Sequence, residues 1–343
     1  MFDIITIGSA TRDVYIRNPH VTYLKSRAFK TGAGICFDLG SKIGIDELYF
    51  TTGGSAVNTA ISFSRLGLNA AALARVGSDA GGRELVKILH EEGVNTAFFQ
   101  HDKRDGTAYS LLFLAPSGER TILTYRGATE KVARREIHWD KLKTRWFYIG
   151  HLAGKSKSLF KPFIDFAARK GIQVALNPGI TQLKNSESWW RGILTKVDIL
   201  IVNREEASYL TRIPYKDEYA IFKKLDAWVR GIVVITEGPR GVLVSDGVQR
   251  WRGGILKERY VSDRTGAGDA FGAGFVAAFI ERDIPCEKGV CHPRKNDIAY
   301  ALQLASANAT SQIEHLGSRD GLLRKRTSIY RWGKLKVGHI IHR

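Results

Sequence analysis

The chain has 343 residues and a formal net charge of +18, from 52 Lys and Arg against 34 Asp and Glu. This length accommodates one large α/β domain or two ordinary ones, and a hydrophobic content of 44% excludes an intrinsically disordered chain. No apolar run approaches the length of a membrane span, and the N-terminus shows neither a basic n-region nor a cleavage site. We therefore expect no membrane segment and a cytoplasmic protein.

The excess of basic residues has two interpretations: a nucleic-acid-binding surface, or a solvated exterior that attracts small anionic metabolites. The bases are scattered except in the stretch from Ser318 to Arg343, which holds eight Lys or Arg against one acid. The chain contains no zinc-finger spacing and no RNP-like aromatic motif. An enzyme with a basic surface is favoured over a dedicated nucleic-acid binder, and residues 321–343 are expected to form a basic appendage.

The three cysteines are Cys36, Cys286 and Cys291. An odd number in a long chain favours reduced thiols over a disulfide framework. Cys286, Cys291 and His292 supply three candidate metal ligands but no matching fourth, whereas structural zinc sites usually have four ligands. We therefore predict free thiols and no metal centre here.

The predicted elements begin with a strand at Ile4–Ile7. Residues 14–52 and 96–126 then contain β-rich pieces around glycines. In the second segment, two apolar runs flank Pro116-Ser117-Gly118, which is typical of a hairpin. These runs are Tyr109–Leu114 and Thr121–Tyr125.

From about residue 130 the pattern changes to short apolar runs that alternate with longer helical periodicities, which predicts βα units and a parallel sheet. The predicted strands are Trp146–Ile149, Val174–Leu176, Ile199–Val202 and Val233–Thr236. The predicted helices between them are Leu159–Arg169, Glu205–Leu210 and Glu218–Val229.

The most informative segment is Asp263–Ala273, in which two carboxylates six residues apart enclose Gly-Ala-Gly, followed by an apolar run with helical spacing. A glycine-rich turn that opens a helix is a ready anion site, because its free N–H groups and the helix dipole favour negative charge. A carboxylate in the first turn, at Asp269, suits a general base that activates a hydroxyl for attack on a phosphate. The alternative is an ordinary loop with Asp269 as a helix cap.

A second segment, Gly53–Ala60, has the pattern GG-x3-N-x-A and runs into a helical periodicity. Asn203 and Glu206 form N-x2-E in the middle of the chain, and D-x2-GAGD follows late. In this order the motifs resemble the signatures of the PfkB (ribokinase-like) family of carbohydrate kinases, over about residues 1 to 320. The resemblance implies a three-layer α/β/α sandwich with a mostly parallel central sheet, and a small β lid from segments 14–52 and 96–126.

Two other glycine patterns resemble known nucleotide-binding motifs but do not match their spacing. Gly150–Ser156 follows a strand but has three residues between its glycines where a P-loop needs four. Gly266, Gly268 and Gly272 lack the spacing of a dinucleotide-binding fingerprint.

The resemblance also implies roles around the late motif. Asp269 would be the base that takes the proton from the acceptor hydroxyl, and the amides of Gly266, Ala267 and Gly268 would form the anion hole. Asp263 stands where several members help to hold a monovalent cation such as K⁺, although its alternative is a solvated strand-end carboxylate. Arg264 replaces the Thr that many members carry.

On the acceptor side, the resemblance assigns sugar binding to Asp13, Gly53, Gly54 and Asn58. A carboxylate can accept hydrogen bonds from two vicinal hydroxyls, and an amide offers both a donor and an acceptor. The alternative for Asn58 is a polar residue in a first helical turn.

On the nucleotide side, Asn203 and Glu206 would organise Mg²⁺ and the phosphates through water, although Glu206 can equally be a helix N-terminal acid. The remaining nucleotide-binding residues are expected to be Thr236, Gly238 and Gly241. Asn308 either faces the adenine or makes a polar contact inside a helix layer.

The predicted function is ATP-dependent phosphorylation of a hydroxymethyl group on a sugar or sugar-like substrate, by direct in-line transfer. The alternatives are a nucleoside kinase of the adenosine type and a non-catalytic, nucleic-acid-binding relative. We also expect a kinase domain at residues 1–320, a basic tail at residues 321–343 and a homodimer formed through the lid.

Overall fold

A computed structural model describes residues 1–19, 21–29, 32–114, 120–287 and 289–340. The strands, in chain order, are β1 (Phe2–Ile7), β2 (Thr11–Pro19), β3 (Thr22–Lys25), β4 (Ala33–Cys36), β5 (Ile45–Gly53), β6 (Ala70–Leu73), β7 (Arg75–Gly77), β8 (Gln100–Asp102), β9 (Ala108–Leu114), β10 (Arg120–Tyr125), β11 (Thr144–Ile149), β12 (Gln173–Leu176), β13 (Ile199–Asn203), β14 (Ile232–Thr236), β15 (Val242–Ser245), β16 (Arg250–Gly253), β17 (Cys286–Glu287), β18 (Val290–Cys291) and β19 (Val337–Ile340).

The α-helices of the described residues are α1 (Ser55–Arg65), α2 (Ala80–Glu91), α3 (Phe160–Lys170), α4 (Ile180–Leu183), α5 (Glu187–Leu194), α6 (Arg204–Thr211), α7 (Glu218–Trp228), α8 (Ala267–Glu281) and α9 (Lys295–Ile313). None of them has both the length and the apolar composition needed to cross a bilayer.

The central sheet has nine strands in the order β19-β16-β15-β14-β13-β12-β11-β1-β6. Strands β6, β1, β11, β12, β13 and β14 are mutually parallel, while β15, β16 and β19 extend the sheet in antiparallel fashion. Parallel strands require crossover connections, which the intervening helices provide. The predicted strands and helices after residue 130 are confirmed, with ends that differ by at most two residues.

Successive residues of the parallel strands face opposite helical layers, as the strand period of two requires. Ile199 and Ile201 pack with Phe275 of α8 on one face. Leu200 and Val202 pack into the other face, against the layer that contains α3, α5, α6 and α7. This is the expected α/β/α sandwich.

The lid is a separate four-stranded sheet in the order β10-β9-β2-β5. It confirms β structure in both predicted lid segments, although the turn Pro116-Ser117-Gly118 lies outside the described residues. The long 14–52 segment contains an additional hairpin, β3–β4. Residues opposite one another in the register share a face, and Asp13, Ser110 and Tyr15 therefore lie on one side of the lid.

The C-terminal segment corrects the expectation of a surface appendage. β19 pairs with β16 at the edge of the central sheet, with Gly253 opposite Val337. Leu323 and Leu335 are buried in the same core as α8 and α9, and the Leu335 N–H donates to Gln303 Oε1 at 2.7 Å. Because basic residues surround these buried leucines, the sequence did not indicate that the C-terminal segment adds an edge strand to the central sheet.

The prediction of free thiols is wrong for two of the three cysteines. β17 and β18 form a hairpin whose register places Cys286 opposite Cys291, and the two are joined in a disulfide. Cys36 is the free cysteine of the described residues. Asp198 lies close to both sulfurs, but the disulfide leaves no thiolate to bind a metal ion there.

The buried tail gives a stability prediction. Leu335→Ala should lower the free energy of unfolding by about 2–5 kcal/mol, the usual cost of truncating a buried leucine. Leu39→Ala, at a fully exposed leucine of the lid insertion, is the matched control and should change stability little. Denaturant unfolding measures both, and equal stabilities of the two variants would contradict the buried position of the tail.

Candidate active site

The loop that precedes α8 has the backbone geometry of an anion-binding site. Gly266 is the N-cap residue with φ of +76°, a left-handed conformation that glycine adopts without strain. A Cβ at this position would come within 2.8 Å of Ser318, so a larger residue would also clash. No side chain caps the helix, and the Ala267 N–H has only a long bond to the Arg264 carbonyl at 3.4 Å, so the first turn presents its N–H groups at the positive end of the helix.

Asp269 lies in this first turn of α8 and is linked by a hydrogen bond to the first turn of α1. Asn58 Nδ2 donates to Asp269 Oδ2 at 2.8 Å. Ser318 Oγ lies 3.0 Å from Asn58 Oδ1 and also donates to the Thr52 carbonyl at 2.6 Å. The Asn58 amide is therefore oriented, and its NH₂ group points to the carboxylate.

Burial raises the pKa of Asp269 to about 6, the Asn58 hydrogen bond opposes the shift, and the nearby charge of Asp13 adds to it. A carboxyl group with this pKa is mostly ionised at neutral pH and still basic enough to take a proton from an alcohol in the transition state.

Asp13, from β2, lies beneath Gly53 at the end of β5. A Cβ on Gly53 would come within 2.2 Å of the Asp13 carboxylate, so glycine is required there. Burial raises the pKa of Asp13 to about 6, against hydrogen bonds from Ser110 and Thr11, and the charge of Asp263 raises it further. Asp13 Oδ1 is buried without a hydrogen-bond partner among the described residues, which leaves one acceptor for a ligand hydroxyl.

Gly54 follows Gly53 as the N-cap residue of α1, with φ of +93°. A Cβ there would lie 2.5 Å from the Ser9 carbonyl oxygen, so the two glycines bring the start of α1 against the loop after β1. Asn58 projects from the first turn of this helix and is buried.

Residues 263–268, before and at the start of α8, are called the anion loop. A cavity of about 340 Å³ adjoins this loop. Five of the predicted residues line it: Thr236, Gly238, Gly241, Ala267 and Gly268. Its largely apolar wall is completed by Val242, Ile255, Leu256, Phe271 and Ile313. An apolar slot beside an anion loop suits a nucleotide, with its base in the slot and its phosphates at the helix N-terminus.

The apolar wall was missed in the sequence because its residues come from four separate stretches of the chain and all but Phe271 lie outside the motifs. Arg264 also lines the cavity, is exposed and makes no ion pair with the described residues. Its position inside the late motif was the only sequence signal for it.

Asn203 and Glu206 form a reciprocal capping box at the start of α6. Asn203 Oδ1 accepts from the Glu206 N–H at 2.8 Å, and Glu206 Oε2 accepts from the Asn203 N–H at 2.9 Å. They do not line the 340 Å³ cavity. Burial raises the pKa of the Tyr148 hydroxyl, and the nearby charges of Asp269 and Glu206 add to the shift.

Asn308 does not line the 340 Å³ cavity, and it makes the second of the two expected contacts, a polar contact inside a helix layer. The residue is fully buried within α9, where its Nδ2 donates to Ser62 Oγ and to the Ala270 carbonyl. Its Oδ1 accepts from the Leu323 N–H at 2.8 Å. With these bonds Asn308 holds α1, α8 and the C-terminal segment together.

Residues 36–325 match the family described as pfkB family carbohydrate kinase. The chain is 29% identical over 240 residues to ribokinase of Haemophilus influenzae, with coverage of 67% of this chain and 74% of the relative. The structure of Arabidopsis thaliana ribokinase complexed with ribose and ATP matches at a TM-score of 0.74 and 20% identity, over 96% of this chain and 98% of that one.

Adenosine kinase from Sinorhizobium meliloti matches at a TM-score of 0.73 and 23% identity, over 93% of this chain and 95% of that one. These two structural likenesses establish the shared fold, and the match to the family over most of the chain establishes the kinase class. The chain is a member of the PfkB family of carbohydrate kinases.

Proposed function

We propose that this kinase transfers the γ-phosphoryl group of ATP directly to a hydroxymethyl group of a sugar, with Asp269 as the general base. The observation that carries the proposal is the position of the Asp269 carboxylate. It adjoins the uncapped N-terminus of α8, and through Asn58 it is linked to the acceptor-side residues at the end of the lid. A hydroxyl placed there would have a base on one side and an anion site on the other.

In the proposed reaction, one group accepts the proton and others stabilise the charge of the transferring phosphoryl group. The acceptor hydroxyl donates its proton to Asp269 as its oxygen forms a bond to the γ-phosphorus, and the bond from that phosphorus to the bridging oxygen of ADP breaks. The open amides of the anion loop stabilise the charge that develops on the transferring group. No covalent enzyme intermediate is required.

ATP and Mg²⁺ are the proposed cofactors. Glu206 fits a water-mediated Mg²⁺ site, because its Oε1 accepts no hydrogen bond from the described residues while Oε2 is held by the cap. Mg²⁺ keeps several of its waters and neutralises phosphate charge when bound. Glu206 would hold those waters, and Thr236, Gly238 and Gly241 would line the nucleotide cavity.

On the acceptor side, the free Oδ1 of Asp13 and the permitted approach at Gly53 support a polyhydroxylated ligand. The discriminating experiment is acceptor-dependent ADP formation across ribose, fructose, 2-keto-3-deoxygluconate, fructose 6-phosphate and adenosine. We expect a sugar to be preferred. Preference for adenosine would replace this substrate class by a nucleoside, and acceptor-independent or absent ADP formation would contradict a kinase acting on any of these classes.

We also propose a homodimer through the lid. The outer face of the lid sheet exposes Leu48, Phe50 and Leu123, each by about half of its surface. An apolar face of this kind is typical of an interface. Light scattering of the wild-type chain should give twice the monomer mass, and a monomer mass would remove this part of the proposal.

Loss of the Asp13 carboxylate should act on the acceptor rather than on ATP. Asp13→Ala removes a buried acceptor worth about 1–3 kcal/mol, so the KM for the sugar should rise roughly tenfold to a hundredfold. The KM for ATP should change much less. Asp38→Ala, at an exposed lid carboxylate, is the control, and equal damage to both KM values would show that Asp13 maintains the fold instead.

The raised pKa values predict the pH profile. Proton transfer requires ionised Asp269, so kcat/KM for the acceptor should fall as pH decreases through about 6, the pKa of both Asp269 and Asp13. Asn58→Ala removes a hydrogen bond that lowers the Asp269 pKa, so the acidic limb should move to higher pH. A limb near pH 4 in the wild type, or no movement in the variant, would contradict this assignment.

A further inference from the structure

The carboxylate of Asp263 is already surrounded by donors from the protein. Tyr15 Oη donates to Oδ2 at 2.6 Å, and Oδ1 accepts from Thr265 N at 3.0 Å and from Thr265 Oγ1 at 2.8 Å. The guanidinium of Arg120 lies 3.6 Å from Oδ1. The Asp263 side chain is only 3% exposed.

This environment does not fit a monovalent cation on the Asp263 side chain. Such an ion needs free oxygen lone pairs, and three hydrogen bonds already use most of those on this carboxylate. It would also lie next to a guanidinium whose positive charge repels it. The resemblance led to the expectation of K⁺ at Asp263, and the residues present do not support that role.

Both protein partners of this carboxylate other than Thr265 come from the lid. Tyr15 is on β2 and Arg120 is on β10. Tyr15 is paired with Leu112 of β9, and Leu112 is paired with Ile122 of β10, so Tyr15 and Ile122 share a face of the lid sheet. Arg120 lies two residues before Ile122 and is therefore on that same face. Burial and the adjacent Asp263 raise the pKa of the Tyr15 hydroxyl, which therefore stays protonated and remains a donor.

The Arg120–Asp263 ion pair also offsets the repulsion among three neighbouring carboxylates. Asp13, Asp263 and Asp269 converge below the lid, where the charge of Asp263 raises the pKa of Asp13 and the charge of Asp13 raises that of Asp269. In the described parts of the chain, the one salt bridge made by any of these three is that of Asp263 with Arg120. Arg120 brings the compensating charge only when the lid lies on the anion loop.

We propose that Arg120 and Tyr15 form a lid latch on Asp263 that takes the place of a monovalent cation, so that lid closure positions the anion loop and the enzyme works without K⁺. Arg120 is a positioning residue, because it acts on the loop through Asp263. The kinetic part of the test depends on the proposed kinase function, whereas its thermal part needs no substrate.

The test compares the wild type, Arg120→Met, Tyr15→Phe and Arg17→Met in KCl and in choline chloride of equal ionic strength. Arg17 is the matched control, because it is a lid arginine paired with Glu47 at 3.2 Å rather than with Asp263. Melting temperature and turnover are measured for each. Hydrogen exchange of residues 120–125 reports lid opening directly.

For the wild type, the melting temperature should be the same in KCl as in choline chloride, and the turnover should agree within about twofold between the two salts. The same should hold for Arg17→Met. Arg120→Met should lose roughly tenfold in kcat/KM for the acceptor and exchange faster in β10. It should also gain stability and turnover from K⁺, because the repelling guanidinium is gone and the lone pair that the three hydrogen bonds leave on Asp263 can then bind the ion. Tyr15→Phe should change in the same direction.

Stabilisation of the wild type by K⁺ without substrate, or wild-type turnover that depends on K⁺, would overturn the proposal. It would also be overturned if Arg120→Met matched Arg17→Met in exchange and in salt response. If no acceptor supports turnover, the thermal and exchange measurements still decide the latch, and the proposed function alone fails.

Discussion

The whole site depends on the burial of α8. Every residue from Ala270 to Ile280 is buried. Gly274 permits close contact with α9, since a Cβ there would lie 2.8 Å from Ala305 Cα, and Gly272 leaves room for the Tyr148 hydroxyl. A helix fixed along its length cannot shift when charge develops at its N-terminus, which is the condition for a preorganised anion site.

The same arrangement concentrates acidic groups. Asp269, the proposed base, lies on α8, Asp13, the proposed acceptor-binding residue, lies on β2, and Asp263 lies in the loop before α8. The three carboxylates meet between the two sheets. Burial in this space raises the pKa values of Asp13 and Asp269 to about 6, and repulsion between the carboxylates adds a smaller part. The lid therefore covers these carboxylates, and through Arg120 it supplies positive charge to them.

The sequence predicted the layers and the centre of the site because both rest on local signals. The periodicity after residue 130 predicts the parallel strands, and the glycines of Gly-Ala-Gly predict an uncapped helix start. The same logic failed for the C-terminal strand, because β19 has only four residues and its neighbours are basic. Its strand character comes from pairing with β16, which no local pattern encodes.

Long-range contacts account for the other differences. The Cys286–Cys291 disulfide follows from a hairpin of two-residue strands, too short to give a periodicity. Asn308 has the composition of a ligand-binding amide, and only the packing of α1, α8 and the C-terminal segment around it shows that its hydrogen bonds are used internally. The contact of Tyr15 with Asp263 joins residues 248 positions apart.

The central claim is that Asp269 removes the acceptor proton, and Asp269→Asn tests it most directly. The substitution keeps the size and most hydrogen bonds but cannot accept the proton. Turnover with the preferred acceptor should fall by roughly 10² to 10⁴, the usual contribution of a general base. ATP and acceptor affinities by calorimetry should change by less than about tenfold. Asp297→Asn, at the first-turn acid of α9, is the control and should keep normal turnover. Near-normal turnover of Asp269→Asn would show that Asp269 only caps the helix and would contradict the proposed mechanism.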